Sequence, residues 1–235
     1  MTFSILARDP VTGALGAAVA SRFFAVGAIC LHAEGHVGVM SVQAFPNPMY
    51  VGPAMAGLRA ERDPADILAD LVTPDPGQGV RQFHLMDRTG RSARHTGVGC
   101  VDWAGDMSAE GVSVAGNMLA GPEVLPAMLA GYADAADRPL AERLMAALEA
   151  GEAVGGDKRG KQSAAVKICT DDPYPDLDIR CDDSPDPLPE LRRLYRVSLE
   201  RYAVFRRHMA GTASPWGTLD RAVVDADIQR YGRPL

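Results

Sequence analysis

The chain has 235 residues, 47% of them hydrophobic, and a formal charge of −6 at pH 7. That content supports one large packed domain or two small ones, and the acidic balance argues against a nucleic-acid or membrane-surface partner. No apolar run approaches the ~20 residues of a membrane helix, and the four cysteines (Cys30, Cys100, Cys169, Cys181) form no C-x-x-C pair, so no signal peptide is expected before Phe3 and free thiols in a cytoplasmic protein are expected.

Strand-like runs cover residues 3–7, 14–20, 25–31 and 37–44, the first two joined by the turn Arg8-Asp-Pro-Val-Thr-Gly13. Helical spacing follows over residues 53–59 and 64–72, the second with Asp63 as cap and Pro64 at its first position. Strands are expected again at 81–87, 92–96 and 112–115, then helices at 122–132 and 139–150. A glycine-flanked loop, 155–161, leads into a strand at 163–170, with 177–181 as its hairpin partner. A long helix at 189–209 and a weaker one at 220–231 close the chain. Strands in hairpin groups imply antiparallel sheets, and pairs of helices between them suit an outer layer on each face. The expected fold is α+β, a four-layer αββα sandwich.

Thr2 stands at the head of the first strand. It is small enough for Met1 to be removed, which would leave its hydroxyl beside its own α-amine, a nucleophile and a base in one residue. An α-amine with a pKa of about 7.7–8.0 is partly neutral near pH 7. The alternative is an ordinary strand-edge threonine. The five histidines show no metal-ligand spacing, and no P-loop, dinucleotide fingerprint or G-x-S-x-G appears. No metal or cofactor is expected.

Six stretches carry a family resemblance: Thr2-Phe-Ser-Ile-Leu-Ala-Arg-Asp-Pro10, Ala18-Val-Ala-Ser-Arg-Phe-Phe-Ala-Val-Gly27, Gln43-Ala-Phe-Pro-Asn-Pro-Met-Tyr50, Gly116-Asn-Met-Leu-Ala-Gly121, Leu140-Ala-Glu-Arg-Leu144 and Gly155-Gly-Asp-Lys-Arg-Gly-Lys-Gln-Ser-Ala-Ala165. Together, from residue 2 to about 195, they resemble the bacterial family called domain of unknown function 1028. That family is similar to the N-terminal-nucleophile hydrolases, which share the αββα sandwich and cleave amide bonds with an N-terminal Thr, Ser or Cys. The resemblance implies Thr2 as nucleophile. It also implies a site beside the N-terminus that includes Arg22, Gln43, Asn47, Asn117 and the loop carrying Asp157 and Arg159.

For each of these a plainer role stays open. Arg22 either holds a substrate carboxylate or pairs with an acidic loop. Gln43 and Asn117 are expected to stabilise an oxyanion, with a turn cap as the alternative for Asn117. Asn47 precedes a proline and fits a turn at least as well. Asp157 either joins the network at the nucleophile or belongs to a solvated loop, where Arg159 would be surface. Ser4 is expected to be a buried hydroxyl bonded to backbone.

The function expected is hydrolysis of a small, anionic amide by Thr2, with Asn117 and Asp157 as catalytic partners and Arg22, Gln43, Asn47 and Arg159 binding substrate. The alternative is a non-catalytic small-molecule-binding or assembly protein on the same fold. Residues 1–186 are read as the sandwich domain. Residues 187–235 are read as a helical extension whose apolar and arginine-rich helix packs on the domain or on a second subunit of a homodimer.

Overall fold

A computed structural model describes residues 2–233; Met1, whose removal the N-terminal nucleophile requires, lies outside the described residues. The opening hairpin pairs β1 (Thr2–Arg8) with β2 (Leu15–Ser21), placing Phe3 opposite Ala20. Asp9 sets its turn by accepting the N–H groups of Val11 and Thr12, both at 2.9 Å.

The run at 25–31 is not a strand. It forms a short helix, α1 (Val26–Cys30), followed by β3 (Leu31–Glu34). An apolar run this short does not distinguish helix from strand by periodicity, and two tertiary features decide it. Ser163 Oγ accepts the N–H of Val26 at 3.1 Å, satisfying an open helix donor. Gly27 lies so close to the sheet that a Cβ there would stand 2.2 Å from the Cβ of Ala165.

β4 (Gly38–Ala44) leads into α2 (Val51–Arg59) and α3 (Pro64–Val72), the latter capped by Asp63. Next come β5 (Arg81–Asp87), β6 (Ser92–Thr96), β7 (Gly105–Ala109) and β8 (Val112–Asn117). β7 is an exposed edge strand with no alternating pattern to announce it. α4 (Val124–Asp134), α5 (Leu140–Ala153), β9 (Ser163–Cys169) and β10 (Leu177–Cys181) complete the sandwich.

All pairings are antiparallel: one sheet runs β10-β9-β2-β1-β8-β7 and the other β3-β4-β5-β6. The fold is a mixed α+β sandwich with helices outside both sheets. Phe3, Ile5, Val114, Leu125, Leu144 and Leu148 belong to the core between the larger sheet and α4–α5. Met40, Val42, Leu58, Ile67 and Phe83 form the core under α2–α3. Between the sheets lies a third cluster that includes Leu6, Val19, Val39 and Met86. β1 is thus buried on both faces, one against helices and one against the second sheet.

The predicted helix at 189–209 is broken. α6 (Pro187–Glu200) ends at Arg201 (φ −137°), and α7 (Tyr202–Arg206) starts anew. The break turns Arg206 to Asp172 and Asp176, each 2.9 Å away, with its guanidinium over the Tyr174 ring. Leu188 and Leu191 of α6 join the core of the larger sheet, and Arg192 pairs with Glu149 at 2.7 Å. α8 (Arg221–Tyr231) is capped by Asp220. Among the described residues no helix is long and apolar enough to cross a membrane.

Candidate functional site

The inter-sheet layer changes character along the strands. Alternation sends Leu6, Val39 and Met86 into an apolar half and Thr2, Ser4, Ser41, Gln43, Gln82, His84, Ser113 and Asn117 into a polar one. All eight polar residues are buried. Seven of them, Ser113, His84, Ser4, Ser41, Gln43, Gln82 and Asn117, form one hydrogen-bonded chain, and Thr2 stands beside its Asn117 end as the Cα partner of Asn117 across β1 and β8.

Gln82 is the hub. Its Oε1 accepts from Gln43 Nε2 at 2.8 Å and Asn117 Nδ2 at 2.9 Å. Its Nε2 donates among Thr96 Oγ1, Gly105 O and Gly116 O at 2.8–3.0 Å. Those partners fix the orientation of all three amides, since a flip of Gln82 would set donor against donor and a flip of Gln43 or Asn117 acceptor against acceptor. Gln43 and Asn117 each retain a second N–H on the same nitrogen.

Deeper in the layer, Ser4 Oγ donates to Gln43 Oε1 at 2.6 Å and lies 2.9 Å from His84 Nε2. A hydroxyl has one proton, so His84 Nε2 carries the hydrogen of the second bond, and Nδ1 accepts from Ser113 Oγ at 2.8 Å. Burial pushes the His84 pKa down to about 3, which keeps the ring neutral. Ser4 therefore bonds side chains where backbone was expected. His84, one of the histidines without metal-ligand spacing, stands inside the network.

Thr2 Oγ1 donates to Ser21 Oγ at 3.3 Å. Thr2 lines a cavity of about 50 Å³ with Phe23, Val26, Ile29, Cys30, Gln43, Ala44 and Pro46. Burial pushes the Cys30 thiol up to about 12, far from a reactive thiolate. Asn117 lines a second cavity, about 160 Å³, with Ala44, Phe45, Val80, Gly99, Cys100, Val101 and Met118. Ala44, shared by both cavities, has φ 66°, Met118 beside Asn117 has φ 53°, and Ala25 before α1 has φ 51°. Left-handed backbone costs a non-glycine residue about 1–3 kcal/mol, and such residues gather where the surrounding structure holds a site in place.

The Asp157 loop closes one side. Asp157 is buried and accepts the backbone N–H groups of Arg22 and Arg159, both at 2.8 Å. It thereby ties the segment after Ser21 to the 155–161 loop. The guanidinium of Arg22 donates to Arg159 O at 3.3 Å, and that of Arg159 lies 3.5 Å from Asp157 Oδ2. Asn47 does not join this cluster: its Oδ1 accepts from Met49 N at 3.1 Å, capping a short turn at Pro48–Tyr50. Of the two roles the sequence leaves open for Asn47, its side chain fills the turn role of an Asn-Pro pair.

Residues 2–191 match the family described as "Family of unknown function (DUF1028)". The chain belongs to the DUF1028 family. The crystal structure of protein SPO2555 from Silicibacter pomeroyi, also of this family, superposes with a TM-score of 0.87 at 33% identity, covering 94% of this chain and 96% of that one. Anbu (ancestral beta-subunit) from Yersinia bercovieri matches with a TM-score of 0.38 at 13% identity, covering 86% and 96%. A likeness that distant bears no weight for fold or function. No curated protein matches this DUF1028 chain.

The network members that the sequence reading missed, Gln82, His84, Ser41 and Ser113, did leave a signal. They are polar residues at every second position of strands whose other face is apolar. Alternation of that kind ordinarily marks a solvent face, and only the stacking of the two sheets puts it inside.

Proposed function

We propose that this DUF1028 protein is an amide hydrolase whose nucleophile is Thr2, exposed by removal of Met1. The observation that carries the reading is the placement of Thr2. It heads the central strand with its hydroxyl bonded to Ser21, faces a cavity, and has the amides of Gln43 and Asn117 oriented around it by Gln82. The resemblance to N-terminal-nucleophile hydrolases supports the same assignment.

In this reading Thr2 Oγ attacks the amide carbonyl while its own α-amine takes the hydroxyl proton. The second N–H groups of Gln43 and Asn117 stabilise the oxyanion. The C–N bond then breaks, the proton leaves with the amine, and water hydrolyses the ester on Thr2. Asp157 acts as a positioning residue, since its carboxylate is committed to the N–H groups of Arg22 and Arg159 and so keeps Ser21 beside Thr2. The guanidinium groups of Arg22 and Arg159 make their contacts within the loop, Arg22 to Arg159 O and Arg159 to Asp157 Oδ2, and this reading assigns them no part in binding the amide.

The experiment is peptide mass spectrometry after treatment with a β-lactone. Acylation of an N-terminal Thr2, absent in Thr2→Ala, is the expected result. A protein that keeps Met1 throughout, or labelling that persists in Thr2→Ala, overturns the proposal.

A further inference from the structure

The two cavities that meet at Ala44 share a property that no catalytic step explains. Phe23 and Ile29 in the first, and Phe45, Val80 and Val101 in the second, are 36–71% exposed. Large apolar side chains scattered singly on a surface are ordinary, but this set rims two adjoining, mainly apolar hollows on either side of the Thr2–Asn117 rung.

We infer that the substrate is an uncharged amide with an apolar group on each side of the scissile bond, a small branched acyl group over Thr2 and a larger apolar amine beside Asn117. This rests on Thr2 as nucleophile. The acyl carbon stays bonded to Thr2 Oγ after cleavage, so its substituent occupies the cavity that Thr2 itself lines. The departing amine then lies across Ala44, in the cavity that Asn117 lines. The volumes, about 50 and 160 Å³, set the order of sizes. Both exceed the roughly 10–15 Å³ that a single water needs, so the first suits a short branched group such as isobutyl and the second a larger group such as an aromatic ring. Apolar walls reward an extra methylene by roughly tenfold or more and reject a carboxylate by leaving it desolvated.

Two measurements on the full chain test this. The first is the rate of Thr2 acylation by β-lactones carrying a methyl, an isobutyl or a carboxyethyl substituent. The second is binding of N-benzyl-3-methylbutanamide and of its carboxyethyl counterpart, N-benzylsuccinamic acid, to Thr2→Ala protein, followed by ligand-observed NMR. The isobutyl lactone is expected to react at least tenfold faster than the carboxyethyl one, and only the apolar amide is expected to bind. Ile29→Trp should erase the isobutyl preference by filling the first cavity. Val101→Trp should abolish binding of the benzyl amide by filling the second. Both positions are on the rim, and a melting curve confirms each fold.

Equal or faster reaction of the carboxyethyl lactone overturns the inference and leaves Thr2 as nucleophile. Apolar binding that both tryptophans abolish, without acylation by any lactone, overturns the nucleophile and keeps the cavity assignment. Neither acylation nor binding overturns both.

Discussion

Thr2 and Asn117 are Cα partners on β1 and β8, and the Asn117 amide is held by Gln82 Oε1 at 2.9 Å. The candidate nucleophile and the candidate oxyanion donor are thus set by one rung of a central sheet. Strand-borne groups of this kind are placed more firmly than groups on loops, and substitutions here should separate chemistry from folding.

Thr2→Ser keeps a hydroxyl and an α-amine and should remain labelled by a β-lactone. Thr2→Val keeps the branched shape and should not. Intact mass of both proteins, together with unchanged circular dichroism, checks this. Equal labelling of the two would remove Thr2 from the mechanism.

Gln82→Leu removes the acceptor for Gln43 and Asn117 and the donor to Gly116 O, all buried, and the donor to the half-buried Gly105 O. Unpaired buried groups cost about 1–3 kcal/mol each. A total loss of roughly 2–5 kcal/mol is expected in urea denaturation, because the partners relax in part. A loss under about 0.5 kcal/mol, the scale of an ordinary surface change, would show that the network is not fixed by Gln82.

His84 gives the fold a pH dependence of known sign. Its pKa is about 3 when folded against 6.5 when exposed. Between those values the unfolded chain binds more protons, so this residue's contribution falls as pH drops from 6.5 towards 3. At 1.36 kcal/mol per pKa unit, wild type should lose about 3 kcal/mol more than His84→Gln between pH 7 and pH 4. Parallel stability curves for the two proteins would rule this out.

Asp157 and Arg159 share a loop but should behave differently. Asp157→Ala strands the buried-side N–H groups of Arg22 and Arg159 and should cost about 2–3 kcal/mol. Labelling of Thr2 should also slow, because Ser21 is no longer held in place. Arg159→Ala removes an exposed side chain and should stay within about 0.5 kcal/mol. The reverse order, read from denaturation midpoints, would mean that the loop is held by the guanidinium.

Local chemistry was sufficient for much of this protein. The Asp63-Pro64 start of α3, the limits of β5 and β6, and the β1–β2 hairpin follow from caps, turn residues and periodicity over a few positions. Family membership followed from short motifs in order, most of them strand ends and loops near Thr2, with Leu140–Leu144 opening α5 against the far end of the first hairpin. Three features were outside the reach of any local pattern. α1 forms because Ser163 and Ala165, far along the chain, cap it and press on Gly27. The long helix breaks at Arg201, and beyond the break a buried Arg206 meets Asp172 and Asp176. Most of all, the Gln82–His84 alternation reads as a wet strand face until a second sheet covers it. Alternation reports that one face differs from the other, and only the stacking of the sheets decides which face meets water.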